Sequence, residues 1–124
     1  MDIKFVVHGE LSDLNTYNNA QRRHRHIGAR LKREETELVW AEALAAKLQK
    51  IEIYPVFIHF SWYCASAKKD PDNISSGGRK VILDGLQMAG VIENDGWKQI
   101  AGFSDSFHID KANPRVEMTF SVVK

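Results

Sequence analysis

Apolar and polar residues alternate along the chain with two different periods, and the changes of period predict the elements. Ile3, Phe5 and Val7 alternate with Lys4 and His8, a short strand closing at Gly9. Residues 10–20 carry turn chemistry and little periodicity, which predicts an irregular loop. Residues 34–50 hold the strongest helical pattern, with Leu38, Ala41, Leu44, Ala45 and Leu48 at helical spacing. Glu34, Glu35 and Glu37 then fall at the positive end of that helix, and Lys47 and Lys50 at its negative end. Val56, Ile58, Phe60, Trp62 and Cys64 alternate as a strand rich in β-branched and aromatic residues. Residues 65–78 are small and polar and end in Ser75-Ser76-Gly77-Gly78, which predicts a loop. A second helix is expected at about 79–89, with Gly90 as its left-handed cap. Trp97, Phe103, Phe107 and Ile109 share one parity, as do Val116, Met118, Phe120 and Val122, and residues 110–114 between them predict a hairpin loop. The order β-α-β-α-β-β predicts a single α+β domain over 1–124, a mixed β-sheet packed with two main helices.

Length and composition narrow this picture. At 124 residues, 44% of them hydrophobic, the chain supports one core and not two. Its apolar runs are only a few residues long, so no membrane span is expected. No leader is legible in Met1–Val7. Cys64, the only cysteine, has no disulfide partner and fits a reducing cytoplasm.

The net charge of +1 hides a segregation. Arg22, Arg23, Arg25, Arg30, Lys32 and Arg33 stand within residues 21–33 without an acid, joined by His24 and His26. Lys68 and Lys69 form a second basic step. Screening confines such fields to about 8–10 Å, so a compact basic block can grip phosphates on a near-neutral molecule. A solvated basic loop accounts for the same block equally well.

The most informative run is Lys68-Lys69-Asp70-Pro71-Asp72-Asn73. Pro71 steers Asp70 toward an extended conformation, and in an extended chain Asp70 and Asp72 would present two carboxylates to one side. Hard oxygen ligands of that kind suit Mg²⁺ or Mn²⁺, although aspartates also stock turns and caps. Lys80 and Asp84 lie four apart on one helix face, and Asp95 follows the Gly90 turn. A surface ion pair and an Asn-Asp-Gly turn are the plain alternatives for these three. His24 and His26 are spaced poorly for a metal, which favours phosphate contact or solvation. His8, His59 and His108 are scattered. Cys64 and Trp62 continue a buried parity, Trp97 shares the parity of Phe103 and is expected in the core, and Phe57 and Tyr63 face the opposite way.

Taken together, Asp70-Pro71-Asp72-Asn73, Lys80-Val81-Ile82-Leu83-Asp84-Gly85-Leu86, Ala89-Gly90-Val91-Ile92 and Asn94-Asp95 resemble the RusA family of Holliday junction resolvases. The resemblance covers about residues 68–100. It implies a small homodimeric endodeoxyribonuclease that uses Mg²⁺, with Mn²⁺ as substitute, to nick four-way junction DNA in recombination and repair. Asp70, Asp72 and Asp95 fall on the family's metal-binding acids, Lys80 on its catalytic lysine, and Asp84 on a further helix aspartate. The basic residues Arg22, Arg23, Arg25, Arg30, Lys32, Arg33, Lys68 and Lys69 would hold the junction arms. A bacterial cytoplasm, with a chromosomal or prophage gene, is the matching setting. Ser75–Gly78 lengthens the Asp72–Lys80 link relative to the best-known member. Two other readings stay open: a non-catalytic DNA-binding protein, and a metal nuclease for other branched or flap substrates.

Overall fold

The computed structural model describes residues 2–123. It contains β1 (Ile3–His8), α1 (Leu14–Arg23), α2 (Arg25–Ala45), β2 (Val56–Cys64), α3 (Pro71–Met88), β3 (Ile100–Ile109) and β4 (Arg115–Val122). The fold is α+β, with one mixed four-stranded sheet in the order β1-β4-β2-β3. β4 runs antiparallel to both of its neighbours, while β2 and β3 are parallel and joined through α3.

Period-two alternation decides which sheet face is covered. Rungs such as Phe5–Met118–Phe60 and Val7–Val116–Trp62 put their side chains on one face, and all six are buried. Val39 and Ala43 of α2, and Val81, Ile82, Leu83 and Leu86 of α3, complete that core. The opposite face is polar. His59 hydrogen-bonds Ser104 and Ser106, Ser106 donates to Ser61, and Tyr63 stacks on His108 with Arg115 3.8 Å above its ring.

Four expectations about elements are corrected. Residues 14–23, expected as loop, form α1, because Asp13 accepts hydrogen bonds from the amide and hydroxyl of Thr16 and caps the helix while Tyr17 is buried. The first long helix is α2, Arg25–Ala45 and not 34–50, so Glu34, Glu35 and Glu37 lie mid-helix. Its buried face is Gly28, Val39 and Ala43, whereas Leu38 and Leu44 of the expected stripe are 44% and 50% exposed. Residues 71–78 are helical. α3 starts at Pro71 in its first turn, a position that tolerates proline because that N–H is unpaired in any helix. The 110–114 connection is not a hairpin loop, since β2 lies between β3 and β4.

The Ser-Ser-Gly-Gly run misleads because its glycines serve close packing. A Cβ on Gly77 would stand 2.7 Å from the backbone of Ser12, Asp13 and Leu14, and one on Gly78 would stand 2.5 Å from the Trp62 ring. Gly90 does take the left-handed conformation expected of it, with φ +75, and Val91 donates to the Leu86 carbonyl across that cap.

Asp13 links α1 to pH. Burial works to raise its pKa, but the Thr16 hydroxyl and amide outweigh it and hold the carboxyl below the usual aspartate range. A depressed carboxylate contributes stability that is full above the unfolded value, about 3.9, and is lost as pH falls through the lower folded value. Asp13→Ala is expected to cost about 1 kcal/mol at pH 7 and little at the acid end, measured by urea unfolding at the two pH values. An equal cost at both would refute the cap's role.

Candidate active site and nucleic-acid interface

α3 and the turn after it bring three of the candidate residues together. Lys80 and Asp84 are one helical turn apart, and the Lys80 ammonium lies 3.1 Å from Asp84. The Gly90 turn returns the chain so that Asp95 stands 3.2 Å from the same ammonium. The Asp84 hydrogen bond raises the Lys80 pKa, partial burial opposes it, and Asp95 raises it further. Lys80 therefore stays cationic across the neutral range. An ammonium has three donors, so two carboxylates leave one for a further acceptor.

Lys80 also lines an open cleft of about 430 Å³ between α1, α2 and α3. Arg25 and Lys32 of α2 line that cleft, as does Ser76, one turn before Lys80. The basic block is thus helical, not a loop: Arg22 and Arg23 end α1, and Arg25, Arg30, Lys32 and Arg33 lie on the first turns of α2. All six are exposed, as are Lys68 and Lys69. Only Arg25 and Lys32 share the Lys80 cleft; Arg30 faces a separate hollow with His24, His26 and Ile27. His24 serves locally as the α2 cap, its ring nitrogen accepting from the His26 amide at 3.2 Å.

Asp70 and Asp72 do not form the extended pair expected of them. Asp70 has the extended backbone of an N-cap, φ −73 and ψ 141, but Asp72 is already in the first turn of α3. Helical residues two apart do not face each other. Asp72 lies eight residues before Lys80, about 12 Å along the axis. Among the described residues, no three His, Cys, Asp or Glu side chains stand close enough to hold a metal ion within one chain. A single copy therefore does not gather Asp70, Asp72 and Asp95 at one point.

Trp97, expected in the core, is 99% exposed beside Asp95 in the turn before β3. Its parity with Phe103 has no meaning because the chain is not a strand there. Cys64 is half-buried, and burial with the Glu10 carboxylate pushes its thiol up, away from nucleophilic use.

Sequence reasoning missed Arg79. Its guanidinium pairs with Asp105 and lies 5.2 and 4.8 Å from the ring centres of Phe60 and Phe103. The Trp62 indole donates to the same carboxylate at 2.8 Å. The available signal was Asp105 itself, an acid on the Phe103–Phe107 parity that needed a partner inside. This network fixes α3 against β2 and β3 next to Lys80. Asp105→Asn is expected to cost about 1–2 kcal/mol, reduced from a fully buried pair because both groups keep some solvent contact. Chemical unfolding measures it, and a neutral effect would show that the pair does not hold α3.

No helix among the described residues is long and apolar enough to cross a membrane. No protein-family model matches the chain, and no curated protein is significantly similar to it.

Proposed function

We propose that the protein is a divalent-cation-dependent endodeoxyribonuclease acting on branched DNA, with the four-way junction as substrate, as the RusA resemblance implies. The observation that carries this reading is the shared cleft: Lys80, held between Asp84 and Asp95, lines the same groove as Arg25 and Lys32. Arg25 and Lys32 bind backbone phosphates, which positions DNA without reading its sequence. Arg22, Arg23, Arg30, Arg33, Lys68 and Lys69 extend the grip to neighbouring arms. Lys80 turns its remaining donor to the phosphate and meets the charge that grows there during cleavage. Asp70, Asp72 and Asp95 are the oxygen donors assigned to Mg²⁺, or Mn²⁺ in its place, in a homodimer whose two-fold axis matches the near two-fold symmetry of a junction.

Asp72→Asn tests the assignment. Junction cleavage in Mg²⁺ is expected to fall at least about 100-fold, while junction affinity, measured by fluorescence anisotropy, stays within about 3-fold because no phosphate contact is lost. Unchanged cleavage would remove Asp72 from the site. Junction binding without cleavage by the unaltered protein in any divalent metal would instead favour a non-catalytic DNA-binding protein.

A further inference from the structure

We propose that two copies of the chain pair edge to edge through β3, antiparallel about a two-fold axis at Asp105, and that this pairing gathers the acid set that a single copy does not. β3 is the terminal strand of the sheet, so among the described residues its outer backbone edge has no partner strand. Natural edges are guarded by lysine, proline or bulges. β3 carries no Lys, Arg or Pro over its ten residues, its one irregularity is the extra residue Ala101 at its start, outside the Phe103–Phe107 stretch, and its single acid, Asp105, is turned to Arg79 and Trp62. Its apolar side chains are left partly bare, with Phe103, Phe107 and Ile109 at 37%, 39% and 60% exposure.

The strand's own sequence identifies the occupant as a second copy. Phe103-Ser104-Asp105-Ser106-Phe107 reads the same in both directions. An antiparallel pairing centred on Asp105 sets Phe103 against Phe107 of the partner subunit and Ser104 against Ser106 of the partner subunit. Residues opposite one another in such a pair share a face, so the phenyl rings meet on the helix side and the hydroxyls on the open side. The two Asp105 carboxylates that meet at the axis are each neutralised by their own Arg79.

The same register joins two clefts. One lies at the start of β3 and is lined by Asp95, Trp97, Ala101 and Phe103. The other lies at its end and is lined by Asp70, Ile74, Phe107 and Ile109. Antiparallel pairing sets Phe103, which lines the Asp95 cleft, against Phe107 of the partner subunit, which lines the Asp70 cleft, so each Asp95 cleft adjoins the partner subunit's Asp70. The acids that one chain keeps apart are thereby gathered across the interface, twice per dimer. This consequence for the acids rests on the metal assignment above; the pairing itself does not.

Sedimentation velocity is expected to show a dimer that Phe107→Lys converts to a folded monomer, with circular dichroism unchanged. In a Cys64→Ser background, Ser104→Cys combined with Ser106→Cys is expected to give an interchain disulfide on mild oxidation, because opposite Cβ atoms stand about 4.5–5.5 Å apart. A monomer at tens of micromolar, or a dimer indifferent to Phe107→Lys that does not cross-link, overturns the pairing. Mn²⁺ binding, read by electron paramagnetic resonance, tests the shared site. Asp72→Asn and Asp95→Asn proteins, each impaired alone, are mixed and allowed to exchange. Recovery of about a quarter of the wild-type Mn²⁺ sites is expected, since half the dimers are mixed and each holds one complete set. Wild-type binding with no recovery overturns the shared site. Absence of Mn²⁺ binding by the wild type overturns the metal assignment instead, and leaves the pairing to be judged by sedimentation.

Discussion

Lys80→Ala is expected to lower junction cleavage by about 10²–10³-fold, the usual cost of removing one preorganised charge donor from a phosphoryl or acyl transition state. The size of this effect comes from how the side chain is held. Asp84 and Asp95 both lie within salt-bridge distance of the ammonium, at 3.1 and 3.2 Å, and both raise its pKa. It is therefore charged and oriented before DNA arrives. Removing it leaves two neighbouring carboxylates facing a phosphate, so charge repulsion adds to the lost donor. The fold is expected to survive, because the Lys80 side chain is 54% exposed and its ion pairs are of the exposed kind worth at most about 1 kcal/mol. Single-turnover cleavage of a labelled junction measures the effect, with thermal unfolding as the control. A rate within 3-fold of the wild type, on a folded variant, would remove Lys80 from the chemistry. Arg25→Ala and Lys32→Ala should differ in kind: each weakens binding and lowers its salt dependence by about one counterion without changing the rate at saturating DNA.

The second large effect concerns the fold. Gly77→Ala is expected to destabilise the protein by about 3 kcal/mol or more, at the upper end of overpacking costs. The added methyl would stand 2.7 Å from three backbone atoms, of Ser12, Asp13 and Leu14, and backbone cannot move aside as a flexible side chain can. Relief requires pushing the start of α1 away from α3, which opens the cleft that Lys80 lines. Gly90→Ala makes the contrast. Nothing lies within 4 Å of a Cβ there, and the cost is only that of a left-handed conformation, about 1–2 kcal/mol. Urea unfolding of the two variants distinguishes the roles. A Gly77→Ala cost below that of Gly90→Ala would contradict the close packing of α3 on α1.

These glycines also explain which parts of the fold were legible. β2 was readable to the residue, because strand burial has a period of two and Val56, Ile58, Phe60 and Trp62 obey it against a single covered face. β3 was only partly readable: its parity is real, but as an edge strand it leaves Phe103 and Phe107 half-bare. α1 was lost because its buried side is narrow, Tyr17 alone, and its start is written in a cap, Asp13 to Thr16, among residues that also make turns. The α2 face does not follow its leucines, because the helix meets α1 at Gly28, against Gln21, and α3 at Val39, against Gly85. α3 was cut short because Ser-Ser-Gly-Gly has the composition of a linker, and only tertiary packing shows that Gly77 and Gly78 let backbone and an indole come close.

The candidate site shows the same division. Lys80 and Asp84 followed from helical spacing, and Asp95 from the turn that returns the chain to them. The relation of Asp70 to Asp72 did not follow, since it assumed an extended chain where a helix begins. Arg79 and Asp105 were invisible as a pair because they are 26 residues apart and meet only when α3 lies on β3.

The most direct measurement is single-turnover cleavage of a synthetic four-way junction in Mg²⁺, beside linear duplex and single-stranded DNA of the same sequence, with chelator as the blank. Paired nicks in the junction, absent with chelator and absent from the linear substrates, are the predicted result. Junction binding with no cleavage in Mg²⁺ or Mn²⁺, or equal degradation of all three substrates, would contradict the account.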